Sequence, residues 1–406
     1  MSAVIKACRA CGSPNLETVL SLGWLPHANR YLPIGDSSTP LEYQPHDMLW
    51  CQACGLAQLG ISPPSADVFG EDYPYRSSVT RALRDNFACL YAEVMRIMPL
   101  NPDDLVVDIG GNDGNLLSHF AAHRRLNVTP ENVGELSRED GCRWIQDYWG
   151  MVAAEKIAGM GTAKLITATN VFAHISDPGA FVRAVDIALA PGGMFVFEVQ
   201  YLPDLLRGVQ FDHVYTEHQI WWHLAPLRRL LGVNGFTIIG ACAISTHGGS
   251  IRVYAMRAGE ALKPHEVLLH DPIYQDSVTL DDFATFRERV AKHRHDLRRV
   301  LGECRALGLK VAGLGAPSRA STLVSYCGLS ADDLDCVYEA PGSHKLGKYM
   351  PGARIEIRPE PEVFSDGYPD VLLLLSHHVG HELSEAVKLK GYRGKFIWPL
   401  PEVRVE

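Results

Sequence analysis

No segment of this 406-residue chain is apolar for long enough to cross a bilayer; its longest aliphatic runs, such as residues 371–375, are the length of one β-strand. An excess of positive charge is missing too. Lys and Arg number 38 against 47 Asp and Glu, for a net charge of -9, so no global field draws the chain to nucleic acid or to an anionic membrane, and neither is expected as a partner. Residues 1–8 lack the apolar core of a signal peptide, which predicts a cytoplasmic location. Outside a secretory setting, the ten cysteines are expected to stay reduced or to bind metal rather than to form disulfides.

Cysteine spacing points to metal. Cys8-Arg-Ala-Cys11-Gly and Cys51-Gln-Ala-Cys54-Gly are two knuckles of the same form, and four thiolates so arranged suit tetrahedral Zn2+. The competing reading is a redox Cys-x-x-Cys, but two matched knuckles favour a closed structural site. Such a site leaves no position for water, so catalysis is expected elsewhere. Residues 1–70 are rich in turns and poor in periodic structure, and zinc would supply the stability that a small core cannot. Cys89, Cys142, Cys242, Cys304, Cys327 and Cys336 stand alone and receive no chemical role.

From residue 105 the pattern alternates strand and helix, as expected of a doubly wound α/β sheet covered on both faces. Residues 105–109 read as a buried strand ending in Gly110, Gly111 and Gly114. The spacing Asp108-x-Gly110-x-x-x-Gly114 differs from the dinucleotide fingerprint and fits the first loop of S-adenosylmethionine (SAM) methyltransferases better. Further strands are expected at 126–130, 143–147, 165–170 and 194–198, with a turn at 188–193. Ligands of such sheets bind beyond the carboxyl ends of the strands, which gathers Gly110, Asn112, Asp113, Asn170, His174 and Glu198 around one crevice. Residues 211–222 add Tyr215, Glu217 and His218 beside two tryptophans, a costly polar group to bury without a purpose. The loop of residues 71–78, with Tyr73 and Tyr75, precedes a helical pattern.

Residues 259–308 read as a charged helical connector with a solvated face. The α/β pattern then restarts as a Rossmann-like C-terminal domain over 309–406. Its Gly313-Leu-Gly315 turn lacks the third glycine of a dinucleotide loop, yet Ser318 and Arg319 at a helix start, with Lys345 and Lys348 downstream, suit a diphosphate.

Together these motifs resemble the three-domain SAM-dependent sugar C-methyltransferases that act on nucleotide-linked keto-deoxysugars. The likeness rests on the four cysteines, the Tyr73-Pro-Tyr75-Arg-Ser-Ser loop, Asp108-Ile-Gly-Gly-Asn-Asp-Gly114, Asn170-Val-Phe-Ala-His174, Tyr215-Thr-Glu-His218, His247-Gly-Gly-Ser250, Gly315-Ala-Pro-Ser and Lys345-x-Gly-x-x-x-Pro-Gly352. It implies a zinc-binding domain over 1–70 and a SAM-dependent methyltransferase domain over 71–258. It implies His218 as the base that deprotonates the carbon next to a 4-keto group, with Tyr215, His174 and Tyr75 positioning the sugar and stabilising the enolate. SAM would lie on Asp108, Gly110, Asn112, Asp113, Gly114, Thr129 and Asn170. The nucleotide sugar would contact Tyr73, Glu217, Glu198, His247, Ser318, Arg319, Lys345 and Lys348. A monomer or homodimer is expected. Thr129 stands where the family places an acid for the SAM ribose, with Glu131 two residues on as a substitute, and Asn86 stands where it places a histidine. Methyl transfer to oxygen or nitrogen, and a zinc-stabilised nucleotide-sugar binding protein without catalysis, are the alternatives.

Overall fold

The computed structural model describes residues 2–36, 38–64, 68, 76–138, 141–260, 277–365 and 369–406. The expectations for Tyr73 and Tyr75 lie outside these residues. The N-terminal part is an antiparallel sheet of β1 (Leu16–Pro26), β2 (Tyr43–Cys51) and β3 (Ala57–Leu59), to which the distant strand Ile220–Trp221 adds a fourth member. The methyltransferase-like part opens with α1 (Arg81–Ile97), whose Leu83, Phe87, Leu90 and Val94 recur at helical spacing and are buried.

The central sheet contains β4 (Leu105–Ile109), β5 (Arg124–Val128), β6 (Arg143–Ile145), β7 (Ala163–Thr169), β8 (Leu189–Gln200), β9 (Phe236–Ile244) and β10 (Ser250–Arg257). Their order across the sheet is β9-β10-β8-β7-β4-β5-β6, with β10 antiparallel to both neighbours and the other pairs parallel. All five residues of β4 are buried, as a strand covered on both faces requires. Chain order reverses between β4 and β7, which fixes the ligand crevice at their carboxyl ends. Of the turn expected at 188–193, Ala188 ends a helix and residues 189–193 are instead part of β8. Ala163 pairs with Leu189 and Leu165 with Met194, so the excess residues bulge out around Gly192, which has φ 60°.

The connector is also more than a linker. Helix α2 (Leu280–Ala306) begins with a capping box between Thr279 and Asp282, and it buries Phe283, Phe286, Val290, His293, Leu297 and Leu301 along one face. These side chains share a core with β1, with residues 202–214 and with the C-terminal domain, and Phe283 meets Trp50 edge-on at 5.1 Å. The three-and-four spacing of the apolar positions, not the number of cationic side chains, decides the packing.

The C-terminal sheet consists of β11 (Val311–Leu314), β12 (Val337–Glu339), β13 (Ile357–Pro359), β14 (Val371–Leu374), β15 (Lys395–Trp398) and an antiparallel β16 (Arg404–Val405). The order β13-β12-β11-β14-β15-β16 is the Rossmann order, with its own switch point between β11 and β14. Helix α3 (Ser318–Cys327) starts there. The N-terminal and C-terminal parts also pair directly, Leu32–Pro33 against Lys348–Tyr349.

Candidate active site

The four predicted metal ligands meet. The sulfurs of Cys8, Cys11, Cys51 and Cys54 lie within 4.8 Å of one another, with Cys8 to Cys54 at 3.5 Å and Cys11 to Cys51 at 3.6 Å. Tetrahedral zinc with bonds of about 2.3 Å separates its sulfurs by roughly 3.8 Å, so the cluster fits the ion. Both knuckles turn on a left-handed glycine, Gly12 at φ 73° and Gly55 at φ 76°, whose N–H donates to the carbonyl of Cys8 or Cys51 at 2.8 Å. The Cys54 sulfur, hydrogen-bonded to Cys8, pulls the Cys8 thiol down to about 5, towards the thiolate a metal requires.

The glycine loop forms a cradle at the central switch point. Gly110 has φ 64° and Gly114 φ 79°. A Cβ on Gly111 would lie 2.6 Å from Asn127 Oδ1 and 2.7 Å from Asp108 Oδ2, so only bare backbone fits. Asp108 is buried, accepts from Thr167 Oγ1 at 2.6 Å, and is pushed up to about 7 by burial. Its Oδ2 and Asn127 Oδ1 are buried acceptors without a hydrogen-bonded donor among the described residues, a floor suited to a cationic ligand such as SAM. Asn112 accepts from Ser77 N–H at 3.0 Å and donates to Glu131 Oε2 at 2.8 Å, while Asp113 accepts from Ser77 Oγ at 2.6 Å and Ser78 N–H at 3.1 Å. Thr129 is buried and its hydroxyl donates to the same Glu131 oxygen at 3.4 Å. Glu131 thus returns a carboxylate to the pocket that Thr129 lacks. Asn170, at φ 57°, directly follows the carboxyl end of β7.

A histidine group borders this crevice. Nδ1 of His218 donates to the His213 carbonyl at 3.0 Å, since a carbonyl can only accept. That tautomer leaves Nε2 with its lone pair, 3.1 Å from the Tyr215 hydroxyl and 3.4 Å from Gln200 Nε2. His174, 5.0 Å away ring to ring, donates from Nδ1 to the Glu217 carbonyl at 2.8 Å. Burial first, then the neighbouring His174, drives the His218 pKa well below its usual value, and burial holds the Tyr215 hydroxyl protonated. His247, in a left-handed turn at φ 56°, is lowered to about 4 by burial and by Arg319 and His174. Neutral imidazoles beside a hydroxyl can remove and return protons.

The C-terminal domain closes the group from the other side. Arg319 grips Asp212 with Nε at 2.6 Å and Nη2 at 2.8 Å, and His377 Nε2 reaches Asp212 Oδ2 at 2.7 Å. The guanidinium expected on a diphosphate is therefore engaged by a buried carboxylate. Lys345 Nζ donates to the Ala316 carbonyl at 2.7 Å at the start of α3, beside Ser318, whereas Lys348 lies in the interdomain ribbon. Glu198 departs from expectation: Oε1 accepts from Arg252 Nε and Oε2 from Asn86 Nδ2, both at 2.7 Å, and Arg252 also meets Glu93. The register pairs Glu198 with Arg252 across the sheet, and a fully buried Arg needs its carboxylates, so Glu198 is not carried forward as a sugar ligand. Sequence reasoning missed Asp212, His213, Gln200, His377 and Asn29 as site residues. His377 follows β14 at the carboxyl edge of its sheet, the same signal that singled out His174.

Three family models match the chain: "Putative zinc binding domain" over residues 8–69, "Methyltransferase domain" over 75–241 and "C-methyltransferase C-terminal domain" over 245–401. The C-methyltransferase NovU of Streptomyces niveus is 31% identical over 99% of this chain and 97% of its own length. Among solved structures, the SAH-bound magnesium protoporphyrin IX methyltransferase of Synechocystis is 16% identical over 43% of this chain and 83% of that one, at a TM-score of 0.33. A SAM-dependent methyltransferase of Anabaena variabilis is 13% identical over 42% of this chain and 84% of that one, at 0.35.

Proposed function

Because this chain belongs to the family of SAM-dependent C-methyltransferases with a zinc-binding N-terminal domain, we propose that it methylates the ring carbon next to the ketone of a nucleotide-linked 4-keto-deoxysugar. The observation that carries the reading is the His218 tautomer, with Nδ1 fixed on the His213 carbonyl and a basic Nε2 facing the Tyr215 hydroxyl beside His174. His218 Nε2 takes the proton from the carbon next to the ketone, and the electron pair moves onto the ketone oxygen. Tyr215 donates to that oxygen, which lowers the barrier most if it is already in place, and His174, with its Nδ1–H held by the Glu217 carbonyl, positions the sugar beside it. The imidazolium formed on His218 is favoured by the enolate beside it, which offsets the low basicity that burial imposes. SAM, when bound, supplies an electrophilic methyl for the carbon so activated.

The chain's own residues divide the remaining work. The backbone of Gly110 to Gly114 with Asp108, Asn112, Asp113 and Asn170 holds SAM, and Glu131, brought in beside Thr129, takes its ribose hydroxyls. Glu217 and His247 contact the sugar. The N–H groups at the start of α3 and Lys345 take the diphosphate, since helix N–H groups and a cation favour an anion there, while the Ser318 hydroxyl is engaged with Asn29. The test is solvent exchange in deuterated water. The wild type should exchange the proton next to the ketone of a nucleotide-linked keto sugar, and His218→Asn should lower that exchange by about 10²- to 10⁴-fold while keeping S-adenosylhomocysteine binding in calorimetry. Full exchange by His218→Asn removes His218 from the role of base.

A further inference from the structure

The zinc-binding domain reaches the candidate active site through the turn that follows β1. Cys51, a zinc ligand, pairs with Leu16 at one end of the β1/β2 hairpin, and Tyr43 pairs with Pro26 at the other. At about 3.3 Å per residue, the hairpin carries the chain roughly 30 Å from the metal to residues 28–31. There the turn is fastened to α3. Ser321 Oγ donates to the Ala28 carbonyl at 2.8 Å, Ser318 Oγ to Asn29 Oδ1 at 2.7 Å, and the Tyr31 hydroxyl to the Ala316 carbonyl at 3.3 Å. Lys345 lies over the Tyr31 ring at 5.6 Å.

Asn29 is the point at which three domains touch. Its Oδ1 is held by Ser318 of the C-terminal domain, which orients Nδ2 towards the Glu217 carboxylate of the segment that carries His218, and Nδ2 donates to Glu217 Oε1. Glu217 is 6% exposed, so the direction of its carboxylate is set by its partners rather than by water. We propose that Asn29 is a positioning residue: anchored by Ser318, it aims the Glu217 carboxylate at the acceptor, so the zinc-binding domain forms one wall of the acceptor site. This rests on Glu217 as a sugar ligand. It gives the zinc a function beyond stability, because the metal anchors the far end of the hairpin that delivers Asn29.

Two measurements on the zinc-loaded, full-length enzyme decide the matter. The first needs no acceptor. In the presence of S-adenosylhomocysteine, Asn29→Ala should speed amide hydrogen exchange across residues 212–219 by about tenfold, the effect of losing one hydrogen bond to a carboxylate, while exchange in β4 and β7 is unchanged. Unchanged exchange in 212–219 overturns the proposal. The second uses thymidine-diphospho- and uridine-diphospho-4-keto-6-deoxyglucose as acceptors. Asn29→Ala should raise the acceptor KM about tenfold with kcat within about twofold, and Ser318→Ala, which unties Asn29 from α3, should act in the same direction. The double variant should be no worse than Asn29→Ala alone, since both changes break one chain of contacts; multiplied effects overturn the proposal. If the wild type exchanges and methylates neither sugar, the acceptor assignment fails, and the amide exchange still decides on Asn29.

Discussion

Asp212→Asn is the most informative single change outside the group that touches substrate. Asp212 is fully buried, and its two oxygens receive three donors: Arg319 Nε and Nη2, and His377 Nε2. Burial alone would raise its pKa, and Arg319 with His377 overcomes that and holds it well below the usual carboxylate value. The isosteric amide keeps the shape and one acceptor, but it turns an NH2 towards a donor and leaves the Arg319 charge buried without a counter-ion. Breaking a buried pair in this way costs about 3–5 kcal/mol. A chemical effect follows as well. Arg319 already lowers the basicity of His213, His218 and His247 after burial does, and without the Asp212 charge its field on them grows. The acid limb of kcat/KM, which reports protonation of the base, should therefore move to lower pH.

Urea unfolding followed separately by tryptophan fluorescence and by residual activity measures the first effect, and the pH profile measures the second. The control is Asp212→Asn with Arg319→Met, in which both charges are gone; it should recover about 2 kcal/mol or more relative to Asp212→Asn alone, because an apolar pair in place of a buried ion pair is close to neutral. A loss below about 1 kcal/mol for Asp212→Asn, or a double variant no more stable than the single one, would refute this account of the domain interface.

Acid should destabilise the protein through two buried histidines. His46 and His293 are 0% and 3% exposed and are lowered by burial to about 4. Their folded pKa lies below the unfolded value of about 6.5, so the unfolded chain binds more protons in acid. Their contribution is fully present above pH 6.5 and is lost as pH falls towards 4, by about 3 kcal/mol for each group; a urea midpoint that stays flat between pH 7 and 5 contradicts this. At the cofactor site, Glu131→Gln preserves the contacts with Asn112 and Thr129 but removes the charge, and should weaken S-adenosylhomocysteine about tenfold by calorimetry, whereas an unchanged affinity excludes Glu131 as the ribose acid.

What could be read in the sequence was what is local. The cysteine knuckles are set by a two-residue spacing and a glycine, and the cradle by a strand running into glycines, so both were legible without tertiary information. His218, Tyr215 and His174 stood out because ionisable groups at strand ends or in dense polar runs are costly without a ligand. Long-range pairing was not legible. Nothing near Glu198 announces that Arg252 will lie beside it in register, and a strand-end rule alone turned a structural carboxylate into a sugar ligand. Asn29 is one asparagine in a turn, and its meaning exists only once Ser318 and Glu217 arrive from 289 and 188 residues away. In α2 the charge count outweighed the apolar spacing, which the fold obeys.

The segment between β8 and Ile220–Trp221 explains why three domains are needed for one candidate base. Its start is held by the C-terminal domain through Asp212, Arg319 and His377, and its end by the zinc-binding domain through Glu217 and Asn29, while Ile220–Trp221 completes the N-terminal sheet. The central sheet contributes the Ala173 carbonyl, which accepts from Gln219 N–H at 2.8 Å, and the ring of His174. The cofactor cradle, by contrast, is built from β4, β5, β7 and the loops at their ends. On the proposed assignment, SAM and the base are positioned by different parts of the molecule, SAM by the central sheet and the base by the domains on either side of it. A base fixed by two flanking domains has its geometry set by their docking, so the charged lock at Asp212 and the amide bridge at Asn29 act on the same imidazole from opposite ends of one short strap.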